Sequence, residues 1–408
     1  MFNRIGYGWV VVVAMLIVQT VASGMGFYNM SVYMAELAKL MQRPLSDLSL
    51  AVTIFFIAGG VFGLFVAELI NRFQIRWIMV AASAICALAL TAMSQAKEIW
   101  QIYALFLIYG IGNTGVSLVI VTTLITRWFP GPNRSIALSI ASTGLSLGGV
   151  TLTPLTAHLF NTVGVYESFP TLGLIFFIVI VPVAIFLVRL PQESDKGFGG
   201  APLTSNFGYR EAVTSRFFLY HSLGYSLCML AQVGGIAHLY GRVDFLSDYE
   251  TASRAVQALS LASIAFRFVG GVIATRISIR AFTLTMLVVQ GVGLTCIGLI
   301  DEGTQGIYAA LLFGASMGNL LMLQPLWLAE VYTGPVYPRV YALASAISVF
   351  GVALGPFLLG LIVDHMDYRA GYLMAAGVSV VAWILIAMAG AGPAGSKREL
   401  ASTHPVEG

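Results

Sequence analysis

Apolar runs of about twenty residues recur along the whole chain, separated by short polar breaks. Each is long enough to cross a hydrocarbon core of about 30 Å as an α-helix. Twelve such helices are predicted, at about 9–32, 50–70, 77–95, 99–125, 136–160, 168–189, 215–240, 252–274, 281–300, 305–330, 340–363 and 369–392. The period-two alternation that a membrane barrel requires is not seen. The pattern therefore predicts an all-α membrane protein. The first run, Trp9–Val21, has the size of a signal-peptide core, but eleven runs and no clear cleavage site follow it, so it is read as a retained helix.

Composition agrees: 58% of the 408 residues are hydrophobic and 10% are charged, against about 25% charged in a soluble domain. The basic residues divide unevenly between the two sets of loops. One set carries fourteen, including Arg4, Arg72, Arg76, Arg127, Arg134, Arg276, Arg280 and Arg339; the other carries six, Lys39, Arg43, Lys97, Arg242, Arg254 and Arg369. This bias predicts that both termini are cytoplasmic, in a bacterial inner membrane. The net charge of +3 reflects the bias, and no tract is basic enough to suggest nucleic acid as a partner. Cys86, Cys228 and Cys296 all fall within apolar runs and are expected to be buried thiols without disulfides.

The longest polar interval, 191–214, contains the charged, glycine-rich stretch QESDKGFGG. It reads as a cytoplasmic linker between a six-helix bundle at 1–190 and another at 215–395, with a cytoplasmic tail at 396–408. Tyr209–Arg216 is expected to form a short amphipathic helix before the seventh span. The halves repeat. Asn71–Trp77 reads NRFQIRW and Thr275–Ala281 reads TRISIRA, at an offset of 204 residues. Arg134 and Arg339, in RWFPGPNRSIALSIASTGLSLGGVTLTPL and EVYTGPVYPRVYALASAISVFGVALGPFL, correspond at an offset of 205. Parallel six-span repeats imply a site between the halves near the bilayer midplane, reached alternately from each side by rocking. Arg72, Arg76, Arg276 and Arg280, at the cytoplasmic ends of spans, are placed to bond helix-end carbonyls or the carboxylates Glu68 and Glu330, and so to latch an outward-open state. The plainer reading of these arginines is positive-inside anchoring.

Arg267 stands apart. It lies in LASIAFRFVGGVIA, with no other charge from Gln257 to Thr275. Nine residues separate it from Arg276, which at about 1.5 Å per residue puts it roughly 14 Å deep. The other twenty Lys and Arg residues are read as loop or helix-end charges, which would leave Arg267 the only buried cation. A guanidinium keeps its charge at ordinary pH and needs an anion, water or carbonyl groups inside a bilayer. Either a substrate anion or broken-helix carbonyls would serve.

These residues resemble the major facilitator superfamily, whose D-R-x-G-R-R signature is degraded here to NRFQIRW. Within it the chain resembles the monocarboxylate porter and oxalate/formate antiporter branch, in bacterial monocarboxylate transporter-like form. Tyr7-Gly8-Trp9, the pattern from Arg127 to Gly149, GGIAHLY at Gly234–Tyr240, and RFVGG at Arg267–Gly271 carry that likeness. The resemblance implies twelve transmembrane helices in two pseudo-repeats and assigns Arg267 to the substrate carboxylate. Animal members place an Asp four residues earlier, thought to take part in proton coupling; here that position is Ser263, so no carboxyl proton carrier is implied beside Arg267. Oxalate carriers add a Lys in span eleven, whereas Tyr341–Ile362 contains neither Lys nor Arg, which weighs against a dicarboxylate.

Around Arg267 the candidate donors are His238 in span seven, Asn113, Ser117, Thr122 and Thr123 in span four, Asn319 and Gln324 in span ten, and Gln19, Tyr28 and Asn29 in span one. All suit carboxylate or hydroxyl oxygens, and all suit helix–helix bonds equally. His238 is a donor, a proton carrier or an interfacial histidine. Phe266, Phe350 and Trp327 are wall or packing residues. Gly144, Gly148, Gly149, Gly351, Gly355 and Gly360 are expected to allow close helix approach.

No catalytic motif is present: there is no HExxH, no GxSxG and no buried carboxylate pair. The expected function is secondary active transport of a small organic anion, a monocarboxylate, by a monomer that needs no cofactor. Exchange, facilitation and proton symport through His238 remain open. The alternatives are an exporter of drugs or other metabolites on the same fold, for which no membrane carboxylate is evident, and a non-transporting receptor.

Overall fold

The computed structural model describes residues 6–129, 133–190, 208–274, 276–332 and 336–392. Most of the linker, the tail at 396–408 and Arg4 lie outside the described residues. In chain order the helices are α1 (Gly6–Ser23), α2 (Asn29–Met41), α3 (Leu45–Arg72), α4 (Ile75–Ala92), α5 (Ile99–Asn113), α6 (Leu118–Trp128), α7 (Asn133–Thr162) and α8 (Val165–Leu187). The short α9 (Tyr209–Thr214) follows, then α10 (Arg216–Leu246), α11 (Tyr249–Ile273), α12 (Ile279–Leu299), α13 (Gly303–Val331), α14 (Tyr337–His365) and α15 (Tyr368–Ala389).

These make twelve spans, because α1 and α2 join through a π-helical turn at Gly24–Tyr28, and α5 and α6 join through a 3-10 turn at Thr114–Val116. Eleven are long and apolar enough to cross a bilayer. The twelfth, α10, is long enough at 31 residues but carries His221, Gln232, His238 and Arg242 on buried positions. It tolerates them because it packs against α11, α14, α15 and α2 rather than lying open to lipid. The first span also runs on to Met41 rather than ending near residue 32.

The repeat is visible in the helix starts. Leu45, Ile75, Ile99 and Asn133 each precede the start of their counterpart, Tyr249, Ile279, Gly303 and Tyr337, by 204 residues. Packing follows the same rule. Pairs α1·α7, α3·α5 and α4·α8 in the first half match α10·α14, α11·α13 and α12·α15 in the second. Glycines set the closest crossings: a Cβ on Gly148 would collide with the backbone of Gly24, and one on Gly351 with the Ser226 carbonyl. The YGW and RWF stretches meet at one end of the first half. Trp9 packs on Phe129 with ring centroids 5.2 Å apart, and the Arg189 guanidinium lies 3.9 Å from the Tyr7 ring centroid.

One expectation fails here. Arg242 is not a loop charge: it is 8% exposed, and its Nη2 donates to the Ile300 carbonyl at 2.7 Å and the Gly298 carbonyl at 3.2 Å. It caps the exposed carbonyls that end α12, so Arg267, which is half-buried, is not the only arginine drawn into the protein.

Candidate functional site

The halves meet along three lines: α7 with α11, α3 with α14, and α2 with α10. The end of the molecule where α8 finishes and α10 begins is the linker end; the opposite end is the far end. On the first line, α7 and α11 run antiparallel with a ladder of polar contacts. Gln257 Nε2 donates to the Val150 carbonyl at 2.9 Å, Ser260 lies against Gly149, and the hydroxyls of Ser263 and Ser146 are 3.2 Å apart. At the foot of the ladder Arg267 Nη1 donates to the Ser142 carbonyl at 3.0 Å. These α11 residues recur every three or four positions, which keeps them on one helix face.

Arg267 reaches α7 because α13 gives way. A Cβ on Gly318 would stand 2.5 Å from the Ser263 carbonyl, 2.8 Å from its hydroxyl and 3.3 Å from Arg267 Nε. Tyr28, from the irregular turn in the first span, closes the site from the other half. It is 1% exposed, its hydroxyl donates to Met317 Sδ at 3.8 Å, and its ring lies with Ser260 against Gly149. Arg267 Nε is buried without a hydrogen-bond partner, and among the described residues no carboxylate pairs with the guanidinium. Five N–H groups on one fixed cation, with a single carbonyl as acceptor among the described residues, favour binding of an anion.

The other candidates are distributed more widely. Asn319 lies against Gly270, one turn beyond Arg267; its Nδ2 donates to the Ala315 carbonyl at 3.0 Å and its Oδ1 is buried without a partner. Asn113 lies against Gly26, so the irregular turns of spans one and four touch, and its Oδ1 is also unpartnered. Ser117 Oγ donates to the Thr114 carbonyl at 2.8 Å within that turn, and Thr122 and Thr123 both donate to the Val119 carbonyl. Gln324 Nε2 donates to Ser348 Oγ at 2.9 Å. His238 has other neighbours: Nε2 sits 2.9 Å from the Pro356 carbonyl, Gly360 and Tyr368 flank the ring, and Nδ1 is buried and unpartnered. A carbonyl accepts only, so the proton belongs on Nε2 and the lone pair on Nδ1. Trp327 packs with Phe217 and His221 inside the second half, whereas Phe266 and Phe350 are exposed.

At the linker end, Arg72 pairs with Glu68 at 2.8 Å within α3, Arg76 Nε bonds the nearby Gln74 at 2.8 Å, and Arg280 donates to the Ala387 carbonyl at 3.1 Å within the second half. Arg276 and Glu330 are exposed at the same end. At the far end the halves are joined. Asp364 Oδ1 and Oδ2 accept from the backbone N–H groups of Leu45 at 2.9 Å and Ser46 at 2.7 Å, capping α3, and Thr53 Oγ1 donates to the Ala353 carbonyl at 2.6 Å.

Gly318, the Ser142 carbonyl and the Ser146–Ser263 pair were not singled out as site elements from sequence. The available signal was the spacing of Gly314 and Gly318, small residues four apart on one helix face. Gly318→Ala is expected to push α13 from α11 and displace Arg267. Overpacking of this kind costs about 1–3 kcal/mol, so the detergent-solubilised variant should melt several degrees lower and bind substrate more weakly. Unchanged melting and transport would show that the crossing has slack.

The family model described as Major Facilitator Superfamily matches residues 16–318 and 242–405. The uncharacterized MFS-type transporter YcxA of Bacillus subtilis is 26% identical over 390 residues, covering 91% of this chain and 92% of that protein. Monocarboxylate transporter 2 of Homo sapiens is 22% identical over 411 residues, covering 93% and 85%. Among solved structures, a bacterial homolog of the human lysosomal transporter Spinster, in an inward-facing and occupied conformation, aligns with a TM-score of 0.74 at 15% identity, covering 94% of this chain and 97% of that one.

Proposed function

The chain belongs to the major facilitator superfamily, a membrane transporter and not an enzyme, and from that footing we propose that it carries a small monocarboxylate anion by alternating access, with Arg267 holding the carboxylate. The observation that carries this reading is the half-used guanidinium on the seam between the halves, its Nη1 on Ser142 and its Nε buried without a partner. A carboxylate accepts two parallel N–H bonds from such a fork. The whole-length likeness to monocarboxylate transporter 2 supports the substrate class. Tyr28, Ser146 and Ser263 supply neutral polar neighbours, and Asn113, Ser117, Asn319 and Gln324 line the remainder of the path.

The excess of basic residues at the linker end supports a cytoplasmic linker and cytoplasmic termini in a bacterial inner membrane. With that orientation the joined far end faces outward, the arrangement of an inward-facing state. Arg72, Arg76, Arg276 and Arg280, with Glu68 and Glu330, then latch the cytoplasmic ends together in the opposite state.

The test is uptake of a labelled carboxylate panel by proteoliposomes, with and without an inward proton gradient. At least one monocarboxylate should accumulate well above empty liposomes. Transport of uncharged or cationic solutes with no carboxylate uptake would end this reading. A lone anion entering a cell works against about 2.3 kcal/mol per 100 mV, which favours proton symport. His238, with its free Nδ1 lone pair, is the proposed carrier. A proton taken up with the anion offsets its charge, so uptake should rise as external pH falls. His238→Gln should lose that rise; equal stimulation in the variant would place coupling elsewhere.

A further inference from the structure

Where the halves face each other, Arg267 of α11 supplies a cation and the first half supplies aromatic rings. The rings gather at the irregular turn of span one. Phe27 and Tyr28 lie edge to face there, with centroids 5.3 Å apart, and Phe27 meets Phe56 of α3 edge to face at 6.0 Å. Phe56 is turned toward the other half. Its neighbours on the same helix face, one turn to either side, are Thr53, which donates to the Ala353 carbonyl of α14, and Gly60, whose Cβ position is closed by the Val349 side chain. Phe27 and Phe56 are half-buried. Behind them Phe55 and Tyr109 are buried, and Phe55 holds Phe56 from the back with centroids 5.2 Å apart. We infer that Phe27, Tyr28 and Phe56 receive the tail of the cargo and that this tail is an aromatic ring, so that the substrate class is an aryl monocarboxylate rather than a short aliphatic acid.

Distance and ring chemistry both point this way. Along α7, Arg267 is bonded at Ser142 and the Tyr28 ring packs at Gly149, a separation of about 10 Å at 1.5 Å per residue. A carboxylate held on the guanidinium at about 3 Å leaves a length that a ring on a short linker fills and that acetate or propionate leaves open. The half-buried rings also offer their edges and faces to a further ring. An offset or edge-to-face contact contributes beyond the apolar area it covers, whereas a saturated tail gains the area alone. The inference deepens the carboxylate reading of Arg267 and rests on it.

The test is binding to the purified protein in detergent, read from the rise in melting temperature over a concentration series at fixed pH. Four probes are compared: phenylacetate, its saturated analogue cyclohexylacetate, propionate, and the uncharged phenylacetamide. Phenylacetate should bind at least about threefold more tightly than cyclohexylacetate and at least about tenfold more tightly than propionate. Phe56→Leu keeps an apolar side chain and removes the ring, so it should abolish the preference for phenylacetate over cyclohexylacetate and leave propionate unchanged. Phe27→Leu gives the same comparison should that chain fail to fold, and the comparison of ligands on the parent needs no variant. Equal or tighter binding of cyclohexylacetate, or a ring preference that survives in both variants, overturns the aromatic wall. Phenylacetamide separates the two readings. If it binds as tightly as phenylacetate, the wall stands and the carboxylate reading falls. If the acids bind with no preference for a ring, the carboxylate reading stands and the wall falls. Binding of none of the four removes both.

Discussion

Arg267→Ala is expected to lower carboxylate transport at least a hundredfold while leaving the folded protein in the membrane. Each hydrogen bond from a charged donor contributes about 1.5–3 kcal/mol, and about 1.4 kcal/mol is a factor of ten, so losing a two-bond fork exceeds two decades. Stability should respond differently. Among the described residues Arg267 makes one hydrogen bond, to Ser142, and the Gln257–Val150 and Ser146–Ser263 contacts remain. Removing a partly unsatisfied cation also removes its desolvation cost. The melting temperature should hold or rise. A purely structural arginine would show the reverse, a lowered melting temperature with transport retained in proportion. Arg267→Lys should recover little, because an ammonium lacks the planar fork.

The second large effect is selectivity by charge. The neighbours of Arg267 among the described residues, Ser142, Ser263 and Gly318, are neutral, so one carboxylate is matched and a second would be buried unpaired at a cost of several kcal/mol. A dicarboxylate dianion should compete at least about a hundredfold more weakly than its monoacid analogue, measured by inhibition of labelled monocarboxylate uptake at fixed pH. Tighter binding of oxalate, malonate or succinate would refute the single-cation site and turn attention to His238 in its protonated form.

How much of this was legible in the sequence depended on whether a feature leaves a hydropathy trace. The spans do, and the polar breaks located them to within a few residues. The first span is the exception: Glu36 and Lys39 look like its end, but the helix continues because those side chains face the other half. The irregular turns at Gly24–Tyr28 and Thr114–Val116 leave no trace, since a local change of helical winding does not interrupt an apolar run. Arg267 was conspicuous as an isolated charge, yet its partner is the Ser142 carbonyl, and backbone acceptors have no signature in a sequence. Arg242 was misread for the same reason: its partners are the last carbonyls of α12. The repeat was readable from two arginine motifs because both halves retain them.

The composition of α10 has a consequence for how the protein is made. This helix presents His221, Gln232, His238 and Arg242 at buried positions, and polar and ionisable side chains turned toward lipid are costly. Its principal partners within its own half are α14 and α15, which are made four and five helices later. For most of the synthesis of the second half, α10 therefore lacks the surfaces that make it compatible with the bilayer. It must be held by the insertion machinery, or lie against the completed first half through α2, until α14 and α15 are made. Assembly of the second half is thus tied to its final two helices, and a nascent chain stalled before them would expose an unsheltered polar helix to membrane quality control.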